Sequence, residues 1–362
     1  MNISQPKQIT QQLHAALTKI GTLEKCAFLD YPNYPNIGDH LIWLGALFYL
    51  TDVLQTKVSY TANINNFSDE LLKQKVGKNP IILNGGGNLG DLWLPYQKFR
   101  EKIIFHYQDR PIIILPQSIY FAKQTNLTKA AKIFNSHPNL TIFVRDNYSY
   151  QIASKNFGNC QVVKAPDMAF HLLNLPGITR NCQPNKSILY HYRQDRELDE
   201  NISPASLNIP NLVVEDWQAF HLVLGNSQPP FLKKIAYLYR EFWQKGILTP
   251  DEFFSRRKWL NKYKYKRKFS QVDNPELQQL SLSLLHAGIY QFQQYQVIIT
   301  NRLHGHILCL LLGIPHLFLP NSYHKNESFY QTWSKNINWC HFAKNSQEVQ
   351  VKIREIFHSS IN

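Results

Sequence analysis

The stretch from Val297 to Pro320 constrains the fold more than any other part of the chain. It begins with the β-branched, apolar run Val297–Thr300 and ends with a second apolar run, His316–Leu319. Between them lies the apolar segment Ile307–Leu312, which is followed by a glycine and then a proline. The pattern predicts strand, loop, helix and strand. In an α/β protein this unit is a right-handed crossover, with its loop at the carboxyl edge of a parallel sheet.

The loop of this unit, Asn301–His306, carries Arg302 and His304 at the start of the predicted helix. Free backbone amides and the helix dipole favour an anion at that position, and open α/β sheets bind ligands at this edge. The loop therefore predicts an anion site with Arg302 and His304 as candidate residues. The alternative is that Arg302 is a surface charge and that both histidines of the loop make ordinary loop hydrogen bonds.

Length and composition predict two globular domains. The 362 residues exceed one ordinary core, and 44% hydrophobic with 18% charged residues is typical of a folded protein. Lys and Arg number 39 against 25 Asp and Glu, which gives a formal net charge of +14. Such an excess favours polyanions, anionic lipid or a phosphorylated substrate without choosing among them.

The sequence carries no signal for secretion, for a membrane span or for a metal. Its start, MNISQPKQIT, lacks an apolar core, and no run of about 18 apolar residues occurs. We therefore expect a cytoplasmic protein. The five cysteines are scattered, with no CxxC motif and no histidine spacing that suits zinc, so we expect no metal site.

A loop rich in Pro, Asn and Gly, Asp30–His40, connects a predicted strand to the apolar helix Leu41–Leu50. Asn36, Gly38 and Asp39 would then lie where the strand passes into the helix. Two interpretations of Asp39 remain open. It is either a functional carboxylate or an N-cap of the helix, because Asp is among the preferred capping residues.

The glycine-rich segment Asn84–Asp91 follows the predicted strand Pro80–Leu83 and satisfies the GxGxxG pattern. A dinucleotide site would also need an acidic residue at the end of the next strand. That strand, Pro111–Leu115, ends in Pro-Gln-Ser instead. The dinucleotide interpretation is therefore disfavoured, and the segment predicts a glycine loop whose backbone can approach a ligand closely.

Another predicted strand, which ends at Arg145, places a second guanidinium at a carboxyl edge.

The boundary between the two predicted domains lies in the Pro- and Gly-containing stretch Leu172–Pro184, which predicts a linker. We therefore expect one domain over residues 1–175 and a second over residues 176–362. The last predicted helix, near Val349–Phe357, is a candidate to pack back on the first domain.

The second domain contains an insert near residues 231–269 that is dense in aromatic and basic side chains. Its basic run, Arg256–Lys268, is either a patch for a membrane surface or nucleic acid, or the solvated face of a helix. No RNP, KH or C2H2 pattern accompanies the run, so we expect no nucleic-acid partner. A peripheral contact with a membrane stays open.

Taken together, the motifs of this chain resemble the polysaccharide pyruvyl transferases. The motifs that carry the resemblance are NIGD at Asn36–Asp39, Gly85–Gly87, PQS at Pro116–Ser118, Arg145–Asp146, Ala165–Asp167, the loop and helix Asn301–His316, and Asn321–Lys325. They run in the family's order, and the R-x-H-G loop with the later Tyr-x-Lys is the specific part. Two departures are the insert near residues 231–269 and Asn301, where the family often has Asp.

The resemblance implies two Rossmann-like parallel-sheet α/β domains that face each other across a cleft, similar to GT-B glycosyltransferases. It implies phosphoenolpyruvate as the donor, with no other cofactor, and a saccharide hydroxyl pair, which can be lipid-linked, as the acceptor of a pyruvyl ketal. The resemblance implies that His304 delivers a proton or stabilises the leaving phosphate, and that Asp39 is the base for the saccharide hydroxyl. It also implies that Arg302 and Lys325 hold the phosphate, while Arg145 reaches the donor across the cleft. The other residues that the matched motifs assign to substrate binding are Asn36, Gly38, Gly86, Gly87, Asn88, Gln117 and Ser118.

Two other classes of protein are compatible with the same sequence features. A GT-B glycosyltransferase that uses a nucleotide sugar would share the fold and the cleft, but it would need a base pocket and a ribose contact that no motif indicates. A non-catalytic protein that binds saccharide or lipid would use the aromatic and basic insert. Loss of His304 would leave the binding of such a protein intact.

Overall fold

The first sheet of the protein is parallel and lies in the N-terminal half. The computed structural model describes residues 3–178, 184–199, 201–217, 250–262, 268–269 and 272–359. The strands of this sheet are β1 (Lys25–Leu29), β2 (Lys57–Ala62), β3 (Ile81–Leu83), β4 (Gly86–Gly90), β5 (Ile112–Tyr120), β6 (Leu140–Val144) and β7 (Gln161–Lys164). Their order is β2-β1-β3-β5-β6-β7, and β4 pairs with β5 beside this path.

The second sheet is also parallel and lies in the C-terminal half. Its strands are β8 (Lys186–His191), β9 (Leu212–Glu215), β10 (Tyr295–Thr300), β11 (His316–Phe318) and β12 (Cys340–Phe342), in the order β12-β11-β10-β8-β9. The predicted fold class, an α/β protein with two parallel-sheet domains, is confirmed.

Helices connect the strands of both sheets. Those of the N-terminal half are α1 (Pro6–Leu17), α2 (Ile37–Phe48), α3 (Asp69–Val76), α4 (Leu94–His106), α5 (Gln124–Asn135) and α6 (Asn147–Asn156). Those described in the C-terminal half are α7 (Pro204–Leu207), α8 (Pro250–Lys262), α9 (Pro275–Gln293), α10 (Leu303–Leu312), α11 (Lys325–Phe329) and α12 (Ser346–Ser359). Short non-α turns cover Thr18–Ile20, Tyr49–Val53, Met168–Asn174 and Tyr330–Ser334.

The crossover predicted from Val297 to Pro320 is present as β10, α10 and β11. Helix α10 is apolar on nearly all sides and buried, as expected for a helix between two layers. It ends at Gly313, whose positive φ of 66° closes the helix in the left-handed conformation. Its first turn lies close to the strand ends, because a Cβ on Gly305 would come within 2.4 Å of Thr300 Oγ1.

Helix α2 joins the two halves of the molecule. It is almost entirely buried and packs against the turn at Met168–Asn174 on one side and against α9 on the other. The indole of Trp43 donates a 2.6 Å hydrogen bond to Gln278 of α9, and Gly45 lies directly against the backbone of Met168. Side chains of both halves therefore form one continuous apolar cluster, which fixes the two sheets relative to each other.

Three sequence expectations change in the structure. The glycine segment is not a loop, because Gly86–Gly90 is strand β4, and the PQS residues lie inside β5, which continues to Tyr120. The stretch predicted as linker begins inside the packed turn Met168–Asn174. Helix α12 packs on the second sheet, where Ile353 shares a cluster with strand residues, so its expected packing on the first domain is wrong.

The basic and aromatic insert lies mostly outside the described residues. Its described helix, α8, buries Glu252 and Arg256 and exposes Phe254, Arg257 and Lys258. Arg256 faces Glu252 at 3.8 Å, so it is not a solvated charge as the uninterrupted basic run suggested. Among the described residues, no helix is long and apolar enough to cross a bilayer.

Candidate active site

A cavity of about 620 Å³ opens where the carboxyl edges of the two sheets face each other. Helix α10 contributes its N-terminal residues to the wall, at the position that favours an anion. The residues that line the cavity are Tyr34, Pro35, Asn36, Asp39, Gly87, Asn88, Trp93, Tyr96, Arg145, Arg193, Gln194, Asp195, Glu197, Asp216, Trp217, Arg302, Leu303, His304 and Lys325. Both halves of the chain therefore build one site.

Two cations from different sheets converge on one glycine of strand β4. A Cβ placed on Gly87 would lie 3.2 Å from Nη2 of Arg145 and 3.6 Å from Nζ of Lys325. Both cations are buried, at 1% and 5% exposure. Like charges held this close in a buried place favour the binding of an anion between them, because its charge relieves their repulsion.

Arg145 is held in place from behind. Its Nε donates to Ser118 at 3.0 Å, and its Nη1 donates to the buried carboxylate of Asp167 at 2.5 Å. Burial opposes the charge of Asp167, but the Arg145 guanidinium and His304 hold the pKa of that carboxyl well below its usual range. Since neither Ser118 nor Asp167 lines the cavity, the guanidinium is oriented from outside the cavity and its Nη2 lies over Gly87.

His304 bridges the two halves at the same carboxylate. Its Nε2 lies 3.4 Å from Oδ2 of Asp167, the oxygen that also accepts from Arg145. On the other side of the ring, a Cβ on Gly38 would come within 2.7 Å of Cβ and Nδ1 of His304. Gly38 does not line the cavity. It lets the first turn of α2 lie against the imidazole.

The second sheet presents its cations as ion pairs inside the cavity. Arg302 binds Asp216 through two nitrogens, Nε at 2.5 Å and Nη2 at 2.6 Å, and its Nη2 lies 3.4 Å from Asp195. The bidentate geometry fixes the guanidinium plane. Arg302 is therefore a buried, ion-paired cation, and not the surface charge that the alternative interpretation assumed.

Lys325 belongs to a second buried cluster on this side. Glu197 accepts from Nζ of Lys325 and, at 2.9 Å, from Nη1 of Arg193. Burial lowers the pKa of Lys325 to about 8; Glu197 opposes this shift, and Arg193 and Arg145 add to it. Asn301, the departure from the family pattern, accepts from the backbone N–H of Arg193 at 2.9 Å.

Asp39 lies on the first-domain side of the cavity. The cap of α2 is Asn36, whose side chain accepts from the N–H of Gly38 at 3.1 Å, so Asp39 is not the N-cap. Asn36 also donates to Asp39 at 2.8 Å, and burial together with the charge of Asp39 raises the pKa of the Tyr34 hydroxyl well above its usual range. The carboxylate is thereby held at the wall, and its Oδ1 lies 3.9 Å from the Cβ position of Gly86.

A buried polar network supports this wall from below. Arg100 donates to Asp30 at 3.1 Å and to the side chain of Asn88 at 2.8 Å. Gln117 donates to the backbone carbonyl of Asn84 at 2.8 Å. Burial raises the pKa of Asp30 to about 6, against the opposing charge of Arg100. The network fixes strand β4, which carries Gly87 and Asn88 into the cavity.

The structure separates the predicted site residues into two groups. Those that line the cavity are His304, Arg302, Asp39, Arg145, Lys325, Asn36, Gly87 and Asn88. Those that lie behind the wall are Gly38, Gly86, Gln117 and Ser118. The second group positions strands, the imidazole or the Arg145 guanidinium, and none of its members reaches the cavity.

Sequence reasoning missed several members of the wall. On the second sheet these are Arg193, Asp195, Glu197 and Asp216, and the missed aromatic residues are Tyr34, Trp93, Tyr96 and Trp217. A signal existed for the charged ones, because Arg193, Asp195 and Asp216 directly follow strands β8 and β9, at the same edge as Arg302. The same signal applied to Trp217, which follows Asp216, whereas nothing in the local pattern marked Tyr34, Trp93 and Tyr96.

A separate buried cluster lies inside the second domain, behind α10. Nδ1 of His306 and Nε2 of His316 are 2.8 Å apart, and Sγ of Cys340 lies 3.7 Å from His306 Nδ1. Ser334 contacts the other nitrogen of His306, and the carbonyl of Ile314 accepts from His316. These groups satisfy one another in a chain of hydrogen bonds, and none of them lines the cavity.

Residues 36–323 match the family model described as polysaccharide pyruvyl transferase. EpsO of Bacillus subtilis (strain 168), whose name assigns it provisionally as a pyruvyl transferase, is 31% identical over 91% of this chain and 91% of its own length. Pyruvyl transferase 1 of Schizosaccharomyces pombe is 29% identical over 86% of this chain and 70% of its own. The chain belongs to the polysaccharide pyruvyl transferase family, and the resemblance drawn from its motifs is confirmed.

A solved structure shares the fold. The crystal structure of a functionally uncharacterized protein from Klebsiella pneumoniae superposes with a TM-score of 0.57 at 19% identity, and covers 92% of this chain and 98% of that one. This likeness concerns the fold alone. Family membership makes the protein an enzyme, a transferase of pyruvyl groups in polysaccharide biosynthesis, which decides against the non-catalytic binding protein and the nucleotide-sugar glycosyltransferase.

Proposed function

We propose that the donor of this pyruvyl transferase is phosphoenolpyruvate and that the product is a pyruvyl ketal on a saccharide. The observation that carries the donor is the convergence of Arg145 and Lys325 on Gly87. Phosphoenolpyruvate bears a phosphate and a carboxylate close together, and two cations from facing walls suit a small dianion or trianion.

The donor's two anionic groups have separate partners in this proposal. The phosphate lies between Arg145 and Lys325, over Gly87, where no side chain fills the space. The carboxylate lies toward Arg302 and the first amides of α10. This orientation presents the double bond to His304, which lines the same cavity as both guanidinium groups and has its Nε2 beside Asp167.

The reaction then needs one proton acceptor, one proton donor and a leaving phosphate. Asp39 takes the proton of the first saccharide hydroxyl as its oxygen bonds to C2, and the imidazole of His304 delivers a proton to the methylene carbon, which becomes a methyl group. The C2–O bond to phosphate breaks, and the second hydroxyl closes the ring on C2. The proton of that hydroxyl leaves with the phosphate, so the products are the ketal and inorganic phosphate.

The test is the binding and consumption of phosphoenolpyruvate by the purified protein. The melting temperature should rise with the concentration of phosphoenolpyruvate, because a ligand that binds the folded state stabilises it, and should rise less with pyruvate or phosphate alone. The matched variant is Gly87→Ala, whose methyl group enters the donor space beside the Arg145 guanidinium and the end of the Lys325 side chain, without meeting backbone. An equal rise in the variant and the wild type would overturn the donor site.

We further infer that the acceptor is lipid-linked and that the enzyme meets the inner face of a membrane through α8. The support is an exposed face with Arg257, Lys258 and Phe254, the last with 66% of its surface exposed, on a protein of formal net charge +14. Replacing Arg257 and Lys258 by Gln should weaken sedimentation with phosphatidylserine vesicles. The matched control replaces Lys129 and Lys132, two exposed lysines of α5, and equal losses in both double variants would refute the contact.

A further inference from the structure

We propose that an aromatic wall formed by Tyr34, Trp93 and Tyr96 binds a pyranose ring of the acceptor saccharide, and so sets which hydroxyl pair reaches the donor. The inference rests on the proposed function, because it extends the same cavity beyond the donor. It assigns the acceptor chemistry to three residues that no motif of the chain marks.

The three rings line the cavity instead of filling the core. Tyr34 and Tyr96 meet edge to face, with centroids 6.1 Å apart and planes at 74°. Trp93 stands at the start of α4, and the guanidinium of Arg196 from the other half of the chain lies 5.9 Å from its ring. All three keep part of their surface exposed, and none belongs to an apolar cluster among the described residues.

Polar groups stand beside these rings in the arrangement that a sugar requires. A pyranose offers an apolar face of C–H groups and an edge of hydroxyls, so its site needs flat apolar surface next to a few donors and acceptors. Here Asp39 lines the cavity together with Tyr34, and Asn36 donates to the Asp39 carboxylate at 2.8 Å. A ring stacked on the aromatic wall therefore directs its hydroxyls toward Asp39.

Strand β4 places that hydroxyl next to the donor. Asp39 lies 3.9 Å from the Cβ position of Gly86, while Arg145 and Lys325 surround the Cβ position of the next residue, Gly87. The carboxylate and the cation pair meet the strand at consecutive residues, and all three side chains line the same cavity. An acceptor hydroxyl at Asp39 would be adjacent to C2 of a donor held over Gly87, as attack requires.

The same layout restricts the acceptor. Closure of a ketal requires two hydroxyls that can both reach one carbon, and both must project from the edge of the ring that faces Asp39. The acceptor class is therefore a pyranoside with two neighbouring hydroxyls free, either vicinal or separated by one carbon. The rest of the pyranose ring, and any saccharide chain attached to it, would extend past Trp93 to the mouth of the cavity.

The test measures saccharide binding separately from donor binding. Saturation-transfer NMR with the methyl pyranosides of galactose, glucose, mannose and N-acetylglucosamine is recorded with the wild type, with and without phosphoenolpyruvate, and with Trp93→Ala, Trp93→Phe and Tyr96→Ala. Phe105→Ala is the control, because Phe105 is an exposed aromatic residue of the same helix outside the cavity. The melting-temperature rise with phosphoenolpyruvate shows that each variant folds with an intact donor site.

We expect at least one pyranoside to give a saturation-transfer signal with the wild type. That signal should fall tenfold or more in Trp93→Ala and in Tyr96→Ala, and should fall less in Trp93→Phe. The melting-temperature rise with phosphoenolpyruvate should stay within twofold of the wild type in each variant. Unchanged signals in both Ala variants overturn the aromatic wall, as does a wild type that binds phosphoenolpyruvate but none of the four pyranosides. A wild type that binds a pyranoside but not phosphoenolpyruvate refutes the proposed donor and leaves the saccharide site standing.

Discussion

The two carboxyl edges that form the cavity carry similar charges in different arrangements. On the first sheet, the carboxylate that pairs with Arg145 is Asp167, which lies behind the wall. On the second sheet, Asp216 and Glu197 line the cavity beside the cations they bind, Arg302 and Lys325. The first edge therefore offers a cation whose own carboxylate partner lies outside the cavity, whereas the second edge offers ion pairs.

This difference predicts unequal roles for the two edges. A substrate anion at Arg145 meets a guanidinium that is already oriented, and it displaces no protein carboxylate. At Arg302 or Lys325 it must share the cation with Asp216 or Glu197, whose charges reduce the attraction in a buried place. We infer that the first edge supplies most of the donor affinity, while the second sets orientation and the protonation of groups around the donor.

The largest expected effect is on His304, which belongs to the second edge but is paired with Asp167 of the first. In His304→Gln, turnover should fall roughly 10²- to 10⁴-fold, the usual contribution of a positioned acid or base, while phosphoenolpyruvate affinity stays close to wild type. Phosphate release and isothermal titration measure the two quantities. The control is His341→Gln, which lies outside the cavity. A His304→Gln variant with near wild-type turnover would assign the proton transfer to another residue.

The next effect compares Arg145 with Arg302 directly. Arg145→Lys should weaken phosphoenolpyruvate binding by roughly 1.5–3 kcal/mol, or about 10- to 150-fold, because the ammonium cannot contact Ser118, Asp167 and the donor together. Arg302→Lys should cost less, because two of the guanidinium nitrogens already bind Asp216. Both dissociation constants are measured by titration. A larger loss at Arg302 than at Arg145 would reverse the proposed division between the two edges.

The smallest effect is a pH dependence that belongs to the second edge. Burial lowers the pKa of Lys325 to about 8, Glu197 opposes the shift, and Arg193 and Arg145 add to it. The ammonium is therefore lost as the pH rises through about 8, and phosphoenolpyruvate should bind more weakly above that value. Its phosphate is already ionised there, with a second pKa of about 6. Lys325→Arg should remove the dependence up to pH 9.5, and a flat wild-type profile from pH 7 to 9.5 would contradict the assignment.

Local sequence patterns determined the elements of the molecule. The β-branched runs, the apolar helix and the Gly-x-Pro stop from Val297 to Pro320 predict β10, α10 and β11, because each signal acts within a few residues of the element that it forms. The same local logic places Arg145 and Arg302 after strands, at carboxyl edges. It also predicts that a ligand site lies at those edges.

Long-range packing decided which of these residues meet. Strand β4 forms because β5 continues past its bulge to Tyr120 and offers an edge on which the glycine segment pairs, a partner about 30 residues away that no local pattern reveals. Arg302 finds Asp216 once β9 and β10 have joined the second sheet, and His304 finds Asp167 only when the two halves of the chain pack together. Sequence therefore determined which chemical groups stand at each strand end. The assembly of each sheet and the docking of the two sheets determined the partners of these groups, because ion pairs and hydrogen bonds act only over a few ångströms.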